Sequence, residues 1–415
     1  MCHCREVREH LKITALKIRT VEGRMPAELD KCDLAQGMRH RVPRDVALGY
    51  GAPYPVIRPQ TVDPDGTVKK KAVFLTVETD ESVTGVAGPL HLPDAAAAFR
   101  PLAALLKGQD PYDTARLWHL MYRTCVAPGP AETKAIGAVD IALWDIKCKA
   151  AGLPLHKMLG GRVQSRLPVY ASSAATAFYD GSYDLEEVAR YVQDITAQGY
   201  VGSKWWIHRG PSDGERGVRD MADLVRTVRE AGGPDHKIMI DCWCGWTYEY
   251  AMRVCERIKD FDIYFLEEPL LPAQVDAVSR LSRECPVRLA LGEHLTGSWD
   301  FLRHISGGFR GMLQPDPCWC GGITETIRIM GLISSYDLPV CLHGSSVPLC
   351  TQVAATYPID LIPLNEYLVN MMERAQWFLR YPVRPENGCL TVGDAPGCQM
   401  DINEDRVERE TAEEL

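Results

Sequence analysis

The feature that most constrains the fold is a regular alternation of short apolar strands and amphipathic helices from about residue 166 onward. The strand segments read RLPVYAS, SKWWI, KIMI, IYFL, RLALG, GMLQ, LPVCL and IPLNEYL. Helical patterns such as 216–230 and 322–335 lie between them. This alternation is typical of parallel β-structure with crossover helices. Eight such strands favour a closed barrel over an open sheet.

The region before the barrel pattern has a different organisation. Residues 13–23 and 72–79 are rich in β-branched residues and predict strands, and the apolar spacing in 134–150 predicts a helix. Between the two strands lies a long connection dense in Pro and Gly. Because long irregular loops are often lids or binding segments, we expect residues 38–65 to close over a ligand.

Charge and cysteine usage exclude several classes of function. The formal net charge is −9, so a nucleic-acid-binding face is not expected. No apolar run approaches the ~18 residues of a membrane span, and the N-terminus lacks a signal-peptide pattern. Fifteen cysteines, an odd number, favour reduced thiols in the cytoplasm. The C-x-C pairs, such as Cys242/Cys244, lack the usual structural zinc spacing and are interpreted as small buried apolar residues.

A polar residue stands at the C-terminal end of six successive barrel strands. These residues are Asp241, Glu267, Glu293, Asp316, His343 and Glu366, with spacings of 26, 26, 23, 27 and 23 residues. Each spacing is about one βα unit, because a βαβ unit takes ~30 residues. A single carboxylate after a strand is usually a cap or turn residue. Six in consecutive units instead predict one site at the C-terminal mouth of the barrel.

The residue types at these positions suggest the chemistry. Asp241, Glu267 and Glu293 would repel one another unless a cation lay between them. All-oxygen ligands suit Mg²⁺ before Zn²⁺. Asp316 and His343 follow neighbouring strands, and an Asp beside a His fixes its tautomer and raises its basicity. A metal ion with a positioned base suggests removal of a proton α to a carboxylate.

Several motifs resemble the enolase superfamily in its mandelate-racemase-like subgroup. They are IMIDCW, YFLEEPLLP, LALGEHLTG, MLQPDPCWCGGITE and VCLHGSS. The resemblance implies a (β/α)7β TIM-like barrel with an N-terminal α+β capping domain that the C-terminal segment completes. The expected domains are the capping domain with its lid loop at residues 1–135 and the barrel at residues 136–376. The C-terminal segment at residues 377–415 is expected to return to the capping domain. The tail DINEDRVERETAEEL is interpreted as a solvated segment.

The resemblance also implies roles for individual residues. Asp241, Glu267 and Glu293 would be the metal ligands, and His343 with Asp316 the acid–base dyad. Glu366 occupies a position that can hydrogen-bond the substrate carboxylate. His294 is a second candidate acid, or a hydrogen-bond donor to the enolate, with support of the neighbouring ligand as the alternative.

The second barrel strand departs from the family pattern. Many members carry Lys-x-Lys there, whereas this chain has Lys204 and then Trp206. Tryptophan cannot accept a proton from carbon, so a racemase with two bases is disfavoured. One base fits a lyase, and the segments KWW, HRGPSDG and HGSS most resemble the rhamnonate dehydratase group of acid sugar dehydratases. Lys204, Trp206 and His208 are expected to contact the substrate.

Other interpretations stay open at this point. The chain could be a dehydratase or epimerase of another acid sugar of the galactonate, gluconate or arabinonate type. It could also be a non-catalytic barrel protein, whereas a metal-dependent hydrolase would normally need His-rich ligands. The lid arginines Arg39, Arg41, Arg44 and Arg58 are candidate contacts to the sugar. A homo-oligomer is expected only by analogy with relatives.

Overall fold

The computed structural model describes residues 11–29, 61–90, 95–126, 128–173, 178–179 and 182–415. The predicted lid arginines therefore lie outside the described residues. The strands are β1 (Ile13–Pro26), β2 (Thr67–Thr79), β3 (Thr84–Ala87), β4 (Arg166–Ser173), β5 (Phe178–Tyr179), β6 (Ser182–Tyr183), β7 (Gly202–Trp206), β8 (Lys237–Asp241), β9 (Ile263–Glu267), β10 (Leu289–Leu291), β11 (Met312–Leu313), β12 (Asn365–Leu368), β13 (Cys389–Thr391) and β14 (Arg409–Glu414). The α-helices are α1 (Ala95–Leu106), α2 (Thr114–Thr124), α3 (Pro130–Ala151), α4 (Leu155–Met158), α5 (Leu185–Ala197), α6 (Gly214–Gly232), α7 (Tyr248–Ile258), α8 (Val275–Glu284), α9 (Gly297–Ser306), α10 (Ile323–Ser335), α11 (Val347–Ala354) and α12 (Met372–Ala375).

An antiparallel sheet in the order β14-β1-β2-β3 forms the N-terminal unit. The tail is solvated as predicted, but it is also structured, because Arg409–Glu414 forms an edge strand on β1. All six of its side chains are exposed, so no apolar alternation reveals it in the sequence. Backbone pairing holds it, together with ion pairs such as Arg19 with Glu410 at 2.6 Å. Charged side chains on an edge strand also discourage pairing with another chain.

A parallel sheet in the order β11-β10-β9-β8-β7-β4-β12 forms the second unit. It curls so that the last strand pairs with the first, with Glu366 opposite Tyr170. Seven of the eight predicted barrel strands are confirmed. The segment LPVCL is not a regular strand: it forms one isolated bridge, Leu313 with Val340. Pro339 lacks a backbone N–H and interrupts the ladder there, although the Val340 N–H reaches the Leu361 carbonyl oxygen at 2.8 Å.

The inside of the curled sheet is filled by side chains. This layer consists of seven buried residues, one in or next to each parallel strand except β7 and one in the segment LPVCL, namely Tyr170, Met239, Phe265, Ala290, Met312, Cys341 and Leu364. They alternate with outward-facing residues along their strands, as the two-residue period of a strand requires. The interior is therefore a packed core and not a pore, and it forms the floor beneath the polar strand ends.

Helix α3 joins the two units. Pro130 stands in its first turn, and Gly152 ends it in the left-handed conformation with φ 68°, which is the usual placing of these two residue types. Its buried Asp145 accepts a hydrogen bond from the Val86 amide of β3 at 2.9 Å. Its buried Asp140 accepts one from the Thr324 amide of α10 at 2.8 Å. No helix within the described ranges has the length and apolar character that a bilayer crossing requires.

Candidate active site

The strand ends bring the predicted polar residues to one rim. Asp241 and Glu267 are the last residues of β8 and β9 and stand opposite each other in register. Glu293 follows β10 after Gly292, whose φ is +145°. A Cβ on Gly292 would lie 2.7 Å from the Gln314 backbone nitrogen. Glycine there thus lets the ends of β10 and β11 approach each other closely.

Lys204 of β7 lies among three carboxylates and is 1% exposed. Its Nζ is 2.7 Å from Glu267 Oε1, 2.8 Å from Glu366 Oε1 and 3.3 Å from Asp241 Oδ2. Burial disfavours the ammonium, but these carboxylates raise its pKa well above the usual range. The same ammonium overcomes burial to lower the pKa of Glu366 to about 2. Lys204 is therefore a permanent cation held beneath the rim.

The carboxylates outnumber this cation. Burial raises the pKa values of Asp241, Glu267 and Glu293, and repulsion from neighbouring carboxylates raises them further. Among the described residues, no choice of one oxygen from each of these three brings all of them within 4.8 Å of one another. Acceptor-only oxygens with uncompensated charge fit a hard divalent cation, since such an ion would supply the missing positive charge. The three residues thus fit Mg²⁺ chemically.

His343 and Asp316 form a buried pair. His343 Nδ1 lies 2.6 Å from Asp316 Oδ2. Asp316 Oδ1 accepts hydrogen bonds from the backbone amides of Cys318 at 2.7 Å and Trp319 at 3.1 Å, which fix its orientation. The other imidazole nitrogen, Nε2, lies 3.3 Å from Glu293 Oε2. Burial opposes the charged imidazole, but Glu293 and Asp316 raise the pKa of His343 to about 10.

His294 pairs most closely with a carboxylate that is not one of the predicted ligands, and its Nδ1 also lies 3.5 Å from Oε1 of the predicted ligand Glu293. Its Nδ1 lies 2.7 Å from Glu268 Oε2, and that oxygen also accepts a hydrogen bond from Cys244 Sγ at 3.3 Å. The side chain of His294 is 42% exposed. Burial again opposes its charge, yet the hydrogen bond and charge of Glu268 raise its pKa to about 9.

A cavity of about 240 Å³ opens over these groups. Its polar side consists of Lys204, Asp241, Glu293, His294, His343, Ser345 and Glu366. Its aromatic and apolar lining residues are Trp206, Trp243, Trp319, Leu368, Met371, Met372 and Ala375. Trp319 packs on the imidazole of His343, with ring centroids 4.8 Å apart. The cavity lining thus combines charged side chains with a set of aromatic and apolar ones.

Some predicted residues lie elsewhere, and some contributors were missed. His208 is buried, 4% exposed, outside the cavity lining, where its ring approaches Tyr183. Gln314, which donates to Glu267 Oε2 at 2.8 Å, was missed, although its position at the end of GMLQ was a usable signal. The apolar lining residues at the end of β12 and after it, Leu368, Met371, Met372 and Ala375, were also missed. Nothing in their sequence distinguishes them from residues of the hydrophobic core.

The amino-acid sequence matches two known domain families. The family "Enolase C-terminal domain-like" matches residues 187–406, and the family "Mandelate racemase / muconate lactonizing enzyme, N-terminal domain" matches residues 52–160.

Individual relatives agree with these matches. The chain is 30% identical over 354 residues to D-galactarolactone cycloisomerase of Agrobacterium fabrum, covering 82% of this chain and 91% of that protein. It is 30% identical over 321 residues to a provisionally named L-rhamnonate dehydratase of Caldivirga maquilingensis, covering 74% and 75%. The crystal structure of L-talarate/galactarate dehydratase from Salmonella typhimurium LT2, liganded with Mg and L-lyxarohydroxamate, superposes with a TM-score of 0.76 at 20% identity, covering 100% of this chain and 97% of that one. The chain belongs to the enolase superfamily, in its mandelate racemase and muconate lactonizing enzyme group.

Proposed function

We propose that this chain is a Mg²⁺-dependent acid sugar dehydratase, a lyase that converts an aldonate into a 2-keto-3-deoxy acid. L-rhamnonate is the first substrate to test. One observation carries the proposal: the imidazole of His343, oriented by buried Asp316 at 2.6 Å, lines the cavity beside the rim carboxylates. The proposal includes the division into 1–135, 136–376 and 377–415, with the barrel carrying the chemistry.

The dyad supplies both proton transfers. Asp316 holds the Nδ1–H of His343, so the neutral imidazole presents Nε2 as the base. Nε2 takes the proton from C2 of the substrate, and the resulting imidazolium returns a proton to the 3-hydroxyl, which leaves as water. The net change is loss of one water molecule, and the enol product then tautomerises to the ketone.

Asp241, Glu267 and Glu293 would hold the metal ion, which when bound would polarise the substrate carboxylate and stabilise the charge formed on it. This donor set is consistent with Mg²⁺, the ion that accompanies L-lyxarohydroxamate in the talarate/galactarate dehydratase structure. Glu366, which accepts the Gly344 amide at 2.9 Å, and Lys204 would orient the bound acid. His294, half exposed at the cavity, would donate to the developing negative charge.

The replacement of the second β7 lysine by Trp206 favours elimination over racemisation. Trp206 ends β7 and lines the cavity, at the position where Lys-x-Lys members have their second lysine. An indole cannot remove a proton from carbon. Epimerisation needs proton exchange on both faces of the substrate carbon, and the position that serves the second face in Lys-x-Lys members holds Trp206 in this chain. A single base that works as an acid in the next step is sufficient for dehydration.

The apolar lining residues that follow β12 favour a monoacid whose far end is apolar. Among the described lining residues, Leu368, Met371, Met372 and Ala375 offer no cation to a second carboxylate. They also offer no side-chain hydroxyl or amide to a terminal sugar hydroxyl. Burying a polar group without a partner is costly, whereas burying a methyl group is favourable. A 6-deoxy aldonate such as L-rhamnonate matches these apolar lining residues better than an aldarate does.

The test is a panel of acids assayed for 2-keto-3-deoxy product by semicarbazide absorbance. L-rhamnonate and L-mannonate form the matched pair, since they differ only in the 6-hydroxyl. We expect L-rhamnonate to give the higher kcat/KM by roughly 10–200-fold, the discrimination that one such group can provide. Galactarate tests the diacid class. An isomerised product without keto acid from any substrate would overturn the dehydratase proposal.

A sugar-lactone cycloisomerase is the second candidate. It is favoured by the 30% identity to D-galactarolactone cycloisomerase over 82% of this chain. Including D-galactarolactone in the panel separates the two candidates. Turnover of the lactone with no turnover of any open-chain aldonate would favour the cycloisomerase.

A further inference from the structure

A thiol, a carboxylate and an imidazole meet beside the cavity, outside the oxygen set proposed for Mg²⁺. Cys244, Glu268 and His294, here called the sulfur site, each offer one ligand atom, and these atoms all lie within 4.8 Å of one another. Cys244 Sγ is 3.3 Å from Glu268 Oε2, and His294 Nδ1 is 2.7 Å from the same oxygen. The proposed dehydration does not use the thiol.

The backbone holds the sulfur site in an uncommon conformation. Trp243, Cys244 and Glu268 have φ values of 41°, 58° and 38°, in the left-handed region that non-glycine residues rarely adopt. The Cys244 amide donates to the Glu268 carbonyl oxygen at 2.7 Å and joins the two loops. Conformations of this kind persist where the surrounding structure enforces them, and they cluster at functional sites.

The spacing of the three atoms suits a tetrahedral ion. Zinc bonds to sulfur, nitrogen and oxygen of roughly 2.0–2.3 Å place two ligands about 3.4–3.6 Å apart. The sulfur–oxygen distance of 3.3 Å is only about 0.1 Å short of this range. The imidazole would move away from Glu268 by less than about 1 Å, and its half-exposed side chain leaves it free to do so.

We propose that the sulfur site binds a borderline-soft divalent cation of the Zn²⁺ class, distinct from the Mg²⁺ ligands. Thiolate and imidazole select zinc-like ions, whereas Mg²⁺ prefers oxygen ligands alone. Coordination exchanges the thiol proton and the Nδ1 proton for the ion. His294 lines the cavity, so the ion has an entry path, and the fourth position is open to water or a ligand.

The test uses Co²⁺ as the probe, added to the protein in the presence of excess Mg²⁺. Co²⁺ bound to thiolate absorbs in the near ultraviolet by sulfur-to-metal charge transfer, whereas Co²⁺ on carboxylates does not. The readout is thus independent of catalytic activity and of the dehydratase proposal. Cys2 and Cys4, a second potential thiolate source in the sequence, are replaced by Ser in the background protein. We expect the band to saturate at one ion per chain.

The variants distinguish the sulfur site from other thiols. Cys244→Ser should abolish the band, whereas Cys318→Ser, at a half-buried cysteine on the same rim, should keep it. His294→Asn, with its fold checked by circular dichroism, should weaken Co²⁺ binding by at least ~10-fold, since even outer-shell partners contribute that much. A band that survives Cys244→Ser, or no band in the background protein, would overturn the proposal.

Discussion

The two halves of the barrel rim balance their negative charge in different ways. On the half formed by β7, β8, β9 and β12, one buried lysine lies within 3.3 Å of Asp241, Glu267 and Glu366. On the half that follows β10 and β11, the imidazoles of His294 and His343 face Glu293 and Asp316, and His294 also reaches Glu268, which follows β9. We call these the lysine half and the imidazole half.

The difference separates a fixed charge from a transferable one. An ammonium whose pKa is raised well above its usual range stays protonated and can only bind and orient. An imidazole can give up its proton near physiological pH once the neighbouring negative charge is neutralised. We therefore expect changes in the lysine half to affect mainly stability and substrate binding. Changes in the imidazole half should affect mainly turnover and pH dependence.

The largest effect should come from removing the base in the imidazole half. His343→Asn keeps the approximate size of the side chain but removes the proton acceptor. We expect turnover to fall by at least ~10²–10⁴-fold, the usual contribution of acid–base catalysis. The measurement is keto-acid formation, with Mg²⁺-dependent melting as the control for an intact metal site. Retained turnover would contradict the assignment of His343.

Removing the cation of the lysine half should mainly destabilise the protein. Lys204→Met leaves Glu267 and Glu366, 1% and 3% exposed, without their charge partner. We expect the free energy of unfolding in chelator to fall by about 3–5 kcal/mol. Lys17→Met, which breaks a partly exposed pair with Glu78, is the control and should cost no more than ~1 kcal/mol. The measurement is urea unfolding of both variants. Equal losses of unfolding free energy in Lys204→Met and Lys17→Met would contradict a dominant role for Lys204.

Metal binding should stabilise the folded chain and distinguish ligands from neighbours. Mg²⁺ at about 100 times its Kd should add about 2.7 kcal/mol to the free energy of unfolding, measured by thermal melting against chelator. Glu293→Gln should largely abolish this gain. Glu366→Gln removes a neighbouring carboxylate that is not a proposed ligand. This variant should retain the stabilisation by Mg²⁺. The reverse result would exchange the roles of these two glutamates.

The smallest effect should be on the pH dependence of stability without metal. Burial opposes charge on both imidazoles, yet neighbouring carboxylates raise the pKa of His343 to about 10 and of His294 to about 9. The pKa of a histidine in the unfolded chain is about 6.5. A group whose pKa is higher in the folded than in the unfolded chain stabilises the fold fully at pH values below its unfolded pKa. This stabilisation is lost as the pH rises through the folded pKa.

Melting temperature in chelator should therefore fall between about pH 6.5 and about pH 10. The melting temperature of the His294→Asn variant should fall less steeply with pH than that of the unaltered protein, because one of the two imidazoles is gone. A melting temperature that stays level or rises across this range in the unaltered protein would contradict the two ion pairs.

Much of the rim could be predicted from the sequence because strand ends repeat with the βα period. Asp241 and Glu267 end their strands as expected, and the predicted pairing of Asp316 with His343 is seen at 2.6 Å. The predictions were weaker where side chains from distant segments meet. The expected substrate contact His208 lies outside the cavity lining, because a position near a strand end does not fix the direction of a loop side chain.

The edge strand Arg409–Glu414 could not be predicted by patterning, since every side chain in it is exposed. The contact of Cys244 with Glu268 could not be predicted either. It depends on left-handed backbone conformations that neither residue type favours.

The order and spacing of residues by themselves determined the alternating architecture, the rim on which the polar groups lie and the oxygen character of the proposed metal ligands. These properties follow from local periodicity, because each βα unit returns the chain to the same end of the sheet. Only the tertiary structure decided which charge meets which: Lys204 contacts Glu366 of β12 at 2.8 Å because the sheet curls until its last strand pairs with its first. A contact between strands so far apart along the chain depends on that closure and on side-chain rotamers, and neither is encoded in the sequence pattern of any one segment.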